Sequence, residues 1–215
     1  MNRIAVPPVS AIADVLKLWG IDGWLTPPLS PVVAAEEPVI GRVMTISITS
    51  GASGPGLAPL YSMLSRELSG QVLVIGGATH VDGAVWGEIL ATAAAAQHAG
   101  GVLVDGAVRD VPTMSAIGLP TYASGRCVVG PNGTAHAVEV GGEITIGAVG
   151  IDSQDSVAID ATGCVRIPQA HLDEVLAASV RYAAAEDRVV QALAAGEPLT
   201  SAYLHKKTVV DELRR

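Results

Sequence analysis

QVLVIGGATHVDGAVWGEILATAAAAQHAGGVLVDGAVRD, residues 71–110, is the stretch on which the fold turns. Its outer parts, 71–75 and 101–105, are unbroken apolar runs, and each enters a Gly turn, Gly76-Gly77 and Gly106-Ala107. Between them, residues 84–99 read as an Ala-rich helix stopped by Gly100-Gly101. Strands that are apolar without alternation are buried on both faces. A helix joining two of them makes a parallel βαβ unit. In such sheets the loops at the C-terminal strand ends are where ligands sit.

Outward from this unit, residues 39–49 read as a further strand and 57–68 as a helix closed by Gly70. Residues 10–19 suggest a short helix with Ser10 as its cap, and 26–38 is Pro-rich and irregular. Downstream, the short segments 120–122, 135–140, 143–149, 156–159 and 164–167 are strand candidates set between Gly, Asn and Asp. Pro168 then opens a long helix over 169–195, closed by Gly196 and Pro198. Its apolar stripe runs through Leu172, Val175, Leu176, Val180, Ala183, Val189, Val190 and Leu193. The fold class expected is α/β, with parallel βαβ units, a β-rich second half and a long C-terminal helix. Residues 1–40 form an N-terminal helical and irregular extension, 41–196 the domain and 197–215 a C-terminal tail.

Composition narrows the function. A net charge of −8 and the lack of any basic run exclude a nucleic-acid partner, which needs clustered Lys and Arg. Lys206, Lys207, Arg214 and Arg215 concentrate positive charge only at the end, mixed with Asp211 and Glu212. Cys127 and Cys164 are too few for a disulfide framework or a zinc cluster, so a reduced, cytoplasmic setting is expected. Mean hydropathy is positive, but 84–99 is interrupted by Glu88, Gln97 and His98 and is shorter than the roughly 20 residues of a membrane span. With only Arg3 ahead of Pro7 and Pro8, the N-terminus lacks the apolar core of a signal peptide, and no membrane partner is expected.

Two places can carry chemistry. Arg109-Asp110, after the strand 101–105, sets a guanidinium fork suited to a carboxylate beside an oxygen ligand suited to a hard divalent ion. Taken alone, the pair reads more simply as a surface ion pair or as a capping Asp for 111–117. Gly76-Gly77 and the segment Trp86-Gly87-Glu88-Ile89-Leu90 form the second place. Free amides at a helix start can hold an anion, and Glu88 can act as a base or orient a water. Alone, Glu88 reads as a solvent-facing residue and Trp86 as a core anchor. Because both places follow parallel strands, they open on one edge of the sheet, and together they suit a small 2-oxo acid with a metal.

Other candidates carry less. The His residues at 80, 98, 136, 171 and 205 show no ligand spacing. There is no Gly-x-Ser-x-Gly elbow, and Gly51, Gly54 and Gly56 lack the Lys of a phosphate loop. Asp152, Asp155 and Asp160 read as turn residues between short strands.

Gly76-Gly77, the run from Ala84 through Trp86-Gly87-Glu88 to Ala91, the run from Gly101 through Asp105-Gly106 to Arg109-Asp110, and Gly118-Leu119-Pro120 together resemble the RraA-like family. That family holds 4-hydroxy-4-methyl-2-oxoglutarate aldolases, which also decarboxylate oxaloacetate, and the regulator of ribonuclease E activity A. The similarity runs over about 41–168. The aldolase branch carries an acidic residue, 20 intervening residues and Arg-Asp, the spacing of Glu88 to Arg109-Asp110 here. The resemblance implies a swivelling β/α domain assembled as a homotrimer or hexamer. It implies that Asp110 ligates Mg or Mn, and that Arg109 with the amides around Gly87, Glu88, Ile89 and Leu90 holds the pyruvyl group. Glu88 would act through water, and an acid from a neighbouring subunit's C-terminal helix corresponds to Glu186. Ser153-Gln154-Asp155 departs from the family's Pro-Gly-Asp, and Ile159 stands before Asp160 where a Gly is common.

The resulting expectation is a divalent-metal-dependent class II type aldolase and oxaloacetate decarboxylase acting on a small 2-oxo acid. Its rivals are a non-catalytic regulator that binds a ribonuclease or helicase, and a lyase acting on another 2-oxo acid in a specialised pathway.

Overall fold

A computed structural model describes residues 6–51, 54–131 and 133–214. Arg3, Arg215 and the Ala52-Ser53 part of the 51–56 loop, all used in the sequence reading, lie outside the described residues. In chain order the elements begin with α1 (Val9–Leu18), β1 (Ser30–Val33), β2 (Val39–Ser50), α2 (Ala58–Met63) and β3 (Gln71–Gly76). Next come β4 (Ala84–Trp86), α3 (Glu88–Ala96), β5 (Gly101–Val108), α4 (Val111–Ile117) and β6 (Thr121–Arg126). The β-rich half follows as β7 (Ala135–Val140), β8 (Ile144–Ile146), β9 (Val149–Ile151), β10 (Ser156–Asp160) and β11 (Gly163–Ile167). The chain ends with α5 (Leu172–Ala194), α6 (Leu199–Ala202) and α7 (Leu204–Leu213).

Among the described residues nine strands share one sheet, with the order β1-β6-β5-β3-β2-β10-β11; β4 joins it at β5 and β7 at β2. The centre is parallel, β2 to β3, β3 to β5 and β5 to β6, as the apolar runs require. Its flanks are antiparallel, through β1–β6 and β2–β10–β11. Val72, Leu73, Val74 and Ile75 are all 0% exposed, so β3 is buried on both faces. Leu73 and Ile75 pack with α2 and α3 residues, while Val72 and Val74 pack beneath the β8–β9 hairpin through Ile144 and Ile146. This alternation is the period of two that a pleated strand imposes.

A second core joins α1, α5 and α7 to β10–β11, through Ile12, Leu16, Val165, Val175 and Tyr182. Residues 6–40 are therefore built into the same body: α1 packs on α5, and β1 pairs with β6. Pro31 lies within β1, where an edge strand tolerates a missing N–H. The long helix is α5, but its buried face is Val175, Ala178, Tyr182, Ala185, Val189 and Ala192. Val180, Val190 and Leu193 of the expected stripe are exposed.

The expected helix over 84–99 needs correction. Ala84–Trp86 is a strand, paired in parallel with Ala107 and Val108, and the helix starts only at Glu88. Gly83 and Gly87 bracket these three residues and free them to join the sheet. Residues 106–108 likewise continue β5 rather than turning, the helix expected over 57–68 shortens to Ala58–Met63, and 143–149 resolves into the β8–β9 hairpin. The helix expected from Ser10 begins at Val9 after Pro8, without a side-chain cap.

Candidate active site

Two parallel strands deliver the candidate residues to one place. β4 ends at Trp86, and Gly87, in extended backbone, leads into α3. The first α3 bond runs from Ala91 N–H to Gly87 O (2.9 Å), so the N–H groups of Glu88, Ile89 and Leu90 have no acceptor inside the helix. β5 ends beside them: the Arg109 N–H donates to Trp86 O at 3.0 Å and locks the two strand ends together.

Asp110 occupies the residue position that caps α4, yet its side chain makes no capping bond. Its backbone is left-handed, with φ 56° and ψ 35°, which turns the carboxylate back toward α3. There Oδ2 lies 3.4 Å from the Glu88 N–H nitrogen and 3.4 Å from Arg109 Nε. Gly87 makes room: a Cβ on it would stand 2.8 Å from Asp110 Oδ2 and 2.9 Å from Arg109 Cγ. Gly130 does the same for the guanidinium, since a Cβ there would lie 3.0 Å from one of its terminal nitrogens. Both charged side chains are part-exposed, at 40% and 38%.

These residues open on a cavity of about 590 Å³, within the range of small-molecule sites. Gly87, Ile89, Leu90, Arg109 and Asp110 line it together with Leu57, Tyr61 and Leu64 of the α2 region. The α2 wall was not foreseen, because nothing in the 57–68 pattern says which helix it faces; the β2–α2–β3 crossover decides that. Glu88 is exposed and does not line the cavity, which is the bland reading of that residue. Gly76-Gly77 leads instead into a 3-10 turn, Ala78–His80, packed against β5, and His80 is exposed and away from the wall. Glu186 lies on α5, where Lys206 Nζ holds its carboxylate at 2.7 Å within the same chain.

Two buried side-chain nitrogens among the described residues have no partner, Trp86 Nε1 and His136 Nε2. His136 Nδ1 accepts the Gly56 N–H at 3.1 Å and so pins the loop that forms the cavity rim. Sequence reasoning set His136 aside because it has no ligand spacing; its role is reached only through the β2–β7 pairing.

Among the described residues no three His, Cys, Asp or Glu side chains gather to cage an ion. Asp110 fits a different kind of site. Its carboxylate is free of the cap and held in a cradle that a Gly87 side chain would fill. A hard ion that keeps several waters needs no more than such a ligand plus substrate oxygens. The acidic residues set aside as turn formers do serve as such: Asp155 pairs with Arg166 at 2.7 Å, and Asp160 accepts the Val9 and Thr162 N–H groups.

The mixed sheet, the strand-end cavity and the long C-terminal helix define the class, an α/β protein of the swivelling β/α type. The chain belongs to the RraA-like family, whose model, described as Aldolase/RraA, matches residues 9–166. It is 27% identical over 199 residues to a putative 4-hydroxy-4-methyl-2-oxoglutarate aldolase of Halalkalibacterium halodurans, covering 93% of this chain and 90% of that one. Protein DlpA of Legionella pneumophila is 27% identical over 192 residues, 89% of this chain; the chain spans only 31% of that protein's length. An uncharacterized protein from Pseudomonas syringae pv. tomato superposes with a TM-score of 0.82 at 25% identity, covering 92% of this chain and 89% of that one. Among the described residues no helix is long and apolar enough to cross a membrane.

Proposed function

We propose that the chain is a divalent-metal-dependent lyase of the class II aldolase type, releasing pyruvate from 4-hydroxy-2-oxo acids and decarboxylating oxaloacetate. The observation that carries this reading is the Asp110 carboxylate, turned away from its own helix by a left-handed backbone and set against Gly87 beside Arg109. The relative from Halalkalibacterium halodurans supports it by name.

Arg109 receives the substrate carboxylate through two parallel N–H bonds, and the α3 amides of Glu88, Ile89 and Leu90 receive the 2-oxo oxygen. Asp110 would hold Mg or Mn, the rest of the ion's shell being water and substrate oxygens. A bound ion of this kind supplies Lewis-acid stabilisation of the negative charge that develops on the 2-oxo oxygen. When the C3–C4 bond breaks, its electron pair is delocalised onto that oxygen, where Arg109 and the helix amides already point. Aldol cleavage also requires a base for the C4 hydroxyl proton. Glu88, exposed at the start of α3 and outside the cavity lining, would reach that proton only through a bridging water. Oxaloacetate loses CO2 to reach the same enolate with no such proton to remove, so one site supports both reactions. Self-association as a homotrimer or hexamer belongs to the same proposal; Ile89 beside the cavity is 75% exposed in the single chain, as a residue awaiting a neighbour would be.

The test is pyruvate release from oxaloacetate and 4-hydroxy-4-methyl-2-oxoglutarate, with Mg and after exhaustive chelation, against the rate with Mg alone. Release that needs both protein and ion is expected. Full activity after chelation defeats the metal assignment, and no release from either substrate defeats the lyase assignment.

A further inference from the structure

The rim of the cavity is tied down by a side chain that does not line it. Pro55, Gly56 and Leu57 belong to the lining and lead directly into α2. His136, on β7, is outside the lining and 7% exposed. Its Nδ1 accepts the Gly56 N–H at 3.1 Å, while the N–H of the next residue, Ala137, donates to the Gly56 carbonyl at 2.9 Å. Gly56 is thus bonded to β7 through both its donor and its acceptor. The loop and the ring fit closely: a Cβ on Gly54 would stand 2.8 Å from Cγ and Nδ1 of the imidazole.

The two bonds differ in what they require. Any residue at 137 other than Pro supplies the backbone N–H. The acceptor at Nδ1 exists only because residue 136 is a histidine. A ring nitrogen that accepts carries no proton, so the proton of the imidazole is on Nε2. An apolar side chain of similar size would fill the space beside Gly54 but would leave the Gly56 N–H without its acceptor. Gly56 is half-buried, and an amide that loses its partner there turns to find water. Turning that amide shifts Pro55, Gly56 and the start of α2, all of them part of the rim.

We infer that His136 is a positioning residue for the 2-oxo acid site: through Gly56 it fixes the rim of the cavity that Gly87, Arg109 and Asp110 share. This rests on the lyase reading above and adds to it a residue that never touches the substrate. Arg109 and Asp110 are held independently of the rim, by the Arg109–Trp86 backbone bond and by the bare α-carbon of Gly87. The rim therefore serves to hold the ligand and not the chemical step. Losing a contribution common to bound substrate and transition state raises KM and leaves kcat in place.

Three variants separate the bond from the bulk of the ring. His136→Leu keeps its approximate size without an acceptor. His136→Asn carries an oxygen that accepts at the place of Nδ1, and His136→Gln carries its amide at the place of Nε2. With Mg present, KM and kcat for oxaloacetate are measured beside oxalate affinity by calorimetry and a thermal melt. In His136→Leu and His136→Gln, KM is expected to rise and oxalate affinity to fall by about five- to tenfold, the worth of one hydrogen bond, with kcat within about twofold of the parent. In His136→Asn most of both losses return. An unchanged KM in folded His136→Leu overturns the inference, as does a loss of kcat with KM unchanged. Where His136→Leu does not fold, the Asn and Gln variants decide: equal KM and equal oxalate affinity in the two overturn it. No binding of oxalate and no pyruvate from the unmodified protein overturn the lyase reading and this role with it.

Discussion

The Asp110 carboxylate rests against the bare α-carbon of Gly87: a Cβ added there would stand 2.8 Å from Oδ2, closer than real Cβ contacts come. Gly87 is in fully extended backbone, which any residue adopts, so the glycine is required by contact and not by conformation. Gly87→Ala is therefore expected to fold, because its strand pairing and helix are untouched, while pushing Asp110 and the Arg109 stem aside. A displacement of this size costs about 100-fold in kcat/KM for pyruvate release. Steady-state kinetics beside a thermal melt check it. Unchanged kinetics would show that Asp110 and Arg109 need no fixed placement.

At Asp110 itself the informative substitution is Asn. The backbone there is left-handed, a conformation that Asn accepts far better than Ala, so Asp110→Asn removes the charge and keeps the turn. Metal-dependent pyruvate release is expected to fall by about 100-fold or more, with a melting temperature within a few degrees of the parent. Calorimetry with Mn should show the affinity falling in parallel. Retained Mn binding would move the metal away from this carboxylate.

The central sheet was legible because β3 and β5 are buried on both faces and so appear as plain apolar runs. β4 was not: Ala84-Val85-Trp86 is too short to show a period and runs directly into residues that favour a helix, leaving Gly83 and Gly87 as its sole signal. β1 lay hidden in Pro-rich sequence because an edge strand can hold Pro31. Within the site, Arg109, Asp110 and residues 87–90 could be placed together, since loops after parallel strands share an edge. The Gly76-Gly77 turn obeys that rule too, but is consumed by a 3-10 turn against β5. The apolar α2 wall depends on a crossover that local pattern does not encode.

Asp155 ties four segments. Its carboxylate accepts from Arg166 Nε (2.7 Å), from the Asp152 N–H (3.0 Å) and from the Gln169 N–H (3.2 Å), and its carbonyl accepts the Val43 N–H (2.9 Å). It is 4% exposed, so its removal leaves a half-buried guanidinium and two amides without their acceptor. Asp155→Ala is expected to cost about 3 kcal/mol, read from urea unfolding, with kcat of the folded fraction unchanged. The neighbouring residues that depart from the family pattern, Ser153 and Gln154, bind Arg42 on the same side and do not line the cavity. A stability loss below 1 kcal/mol would mean that water replaces the carboxylate there.

The α1–α5–α7 packing should fail in alkali. Burial pushes Tyr182 up to about 12 while its hydroxyl donates to Asp14 at 2.7 Å. Burial opposes the Lys206 charge, but the 2.7 Å bond to Glu186 and the polar contact with the Tyr182 oxygen outweigh it and hold Lys206 above its ordinary value. Cys164 is likewise pushed up to about 12 by burial. Each group keeps its proton in the folded chain at a pH where the unfolded chain has lost it. Stability is therefore full below about pH 9 and declines as pH rises toward 12. Thermal melts across pH 8–12 should show this fall. Tyr182→Phe, which removes one of the protons, should flatten it between about pH 10 and 12. An identical slope in that variant would place the alkaline sensitivity outside the α1–α5–α7 contact.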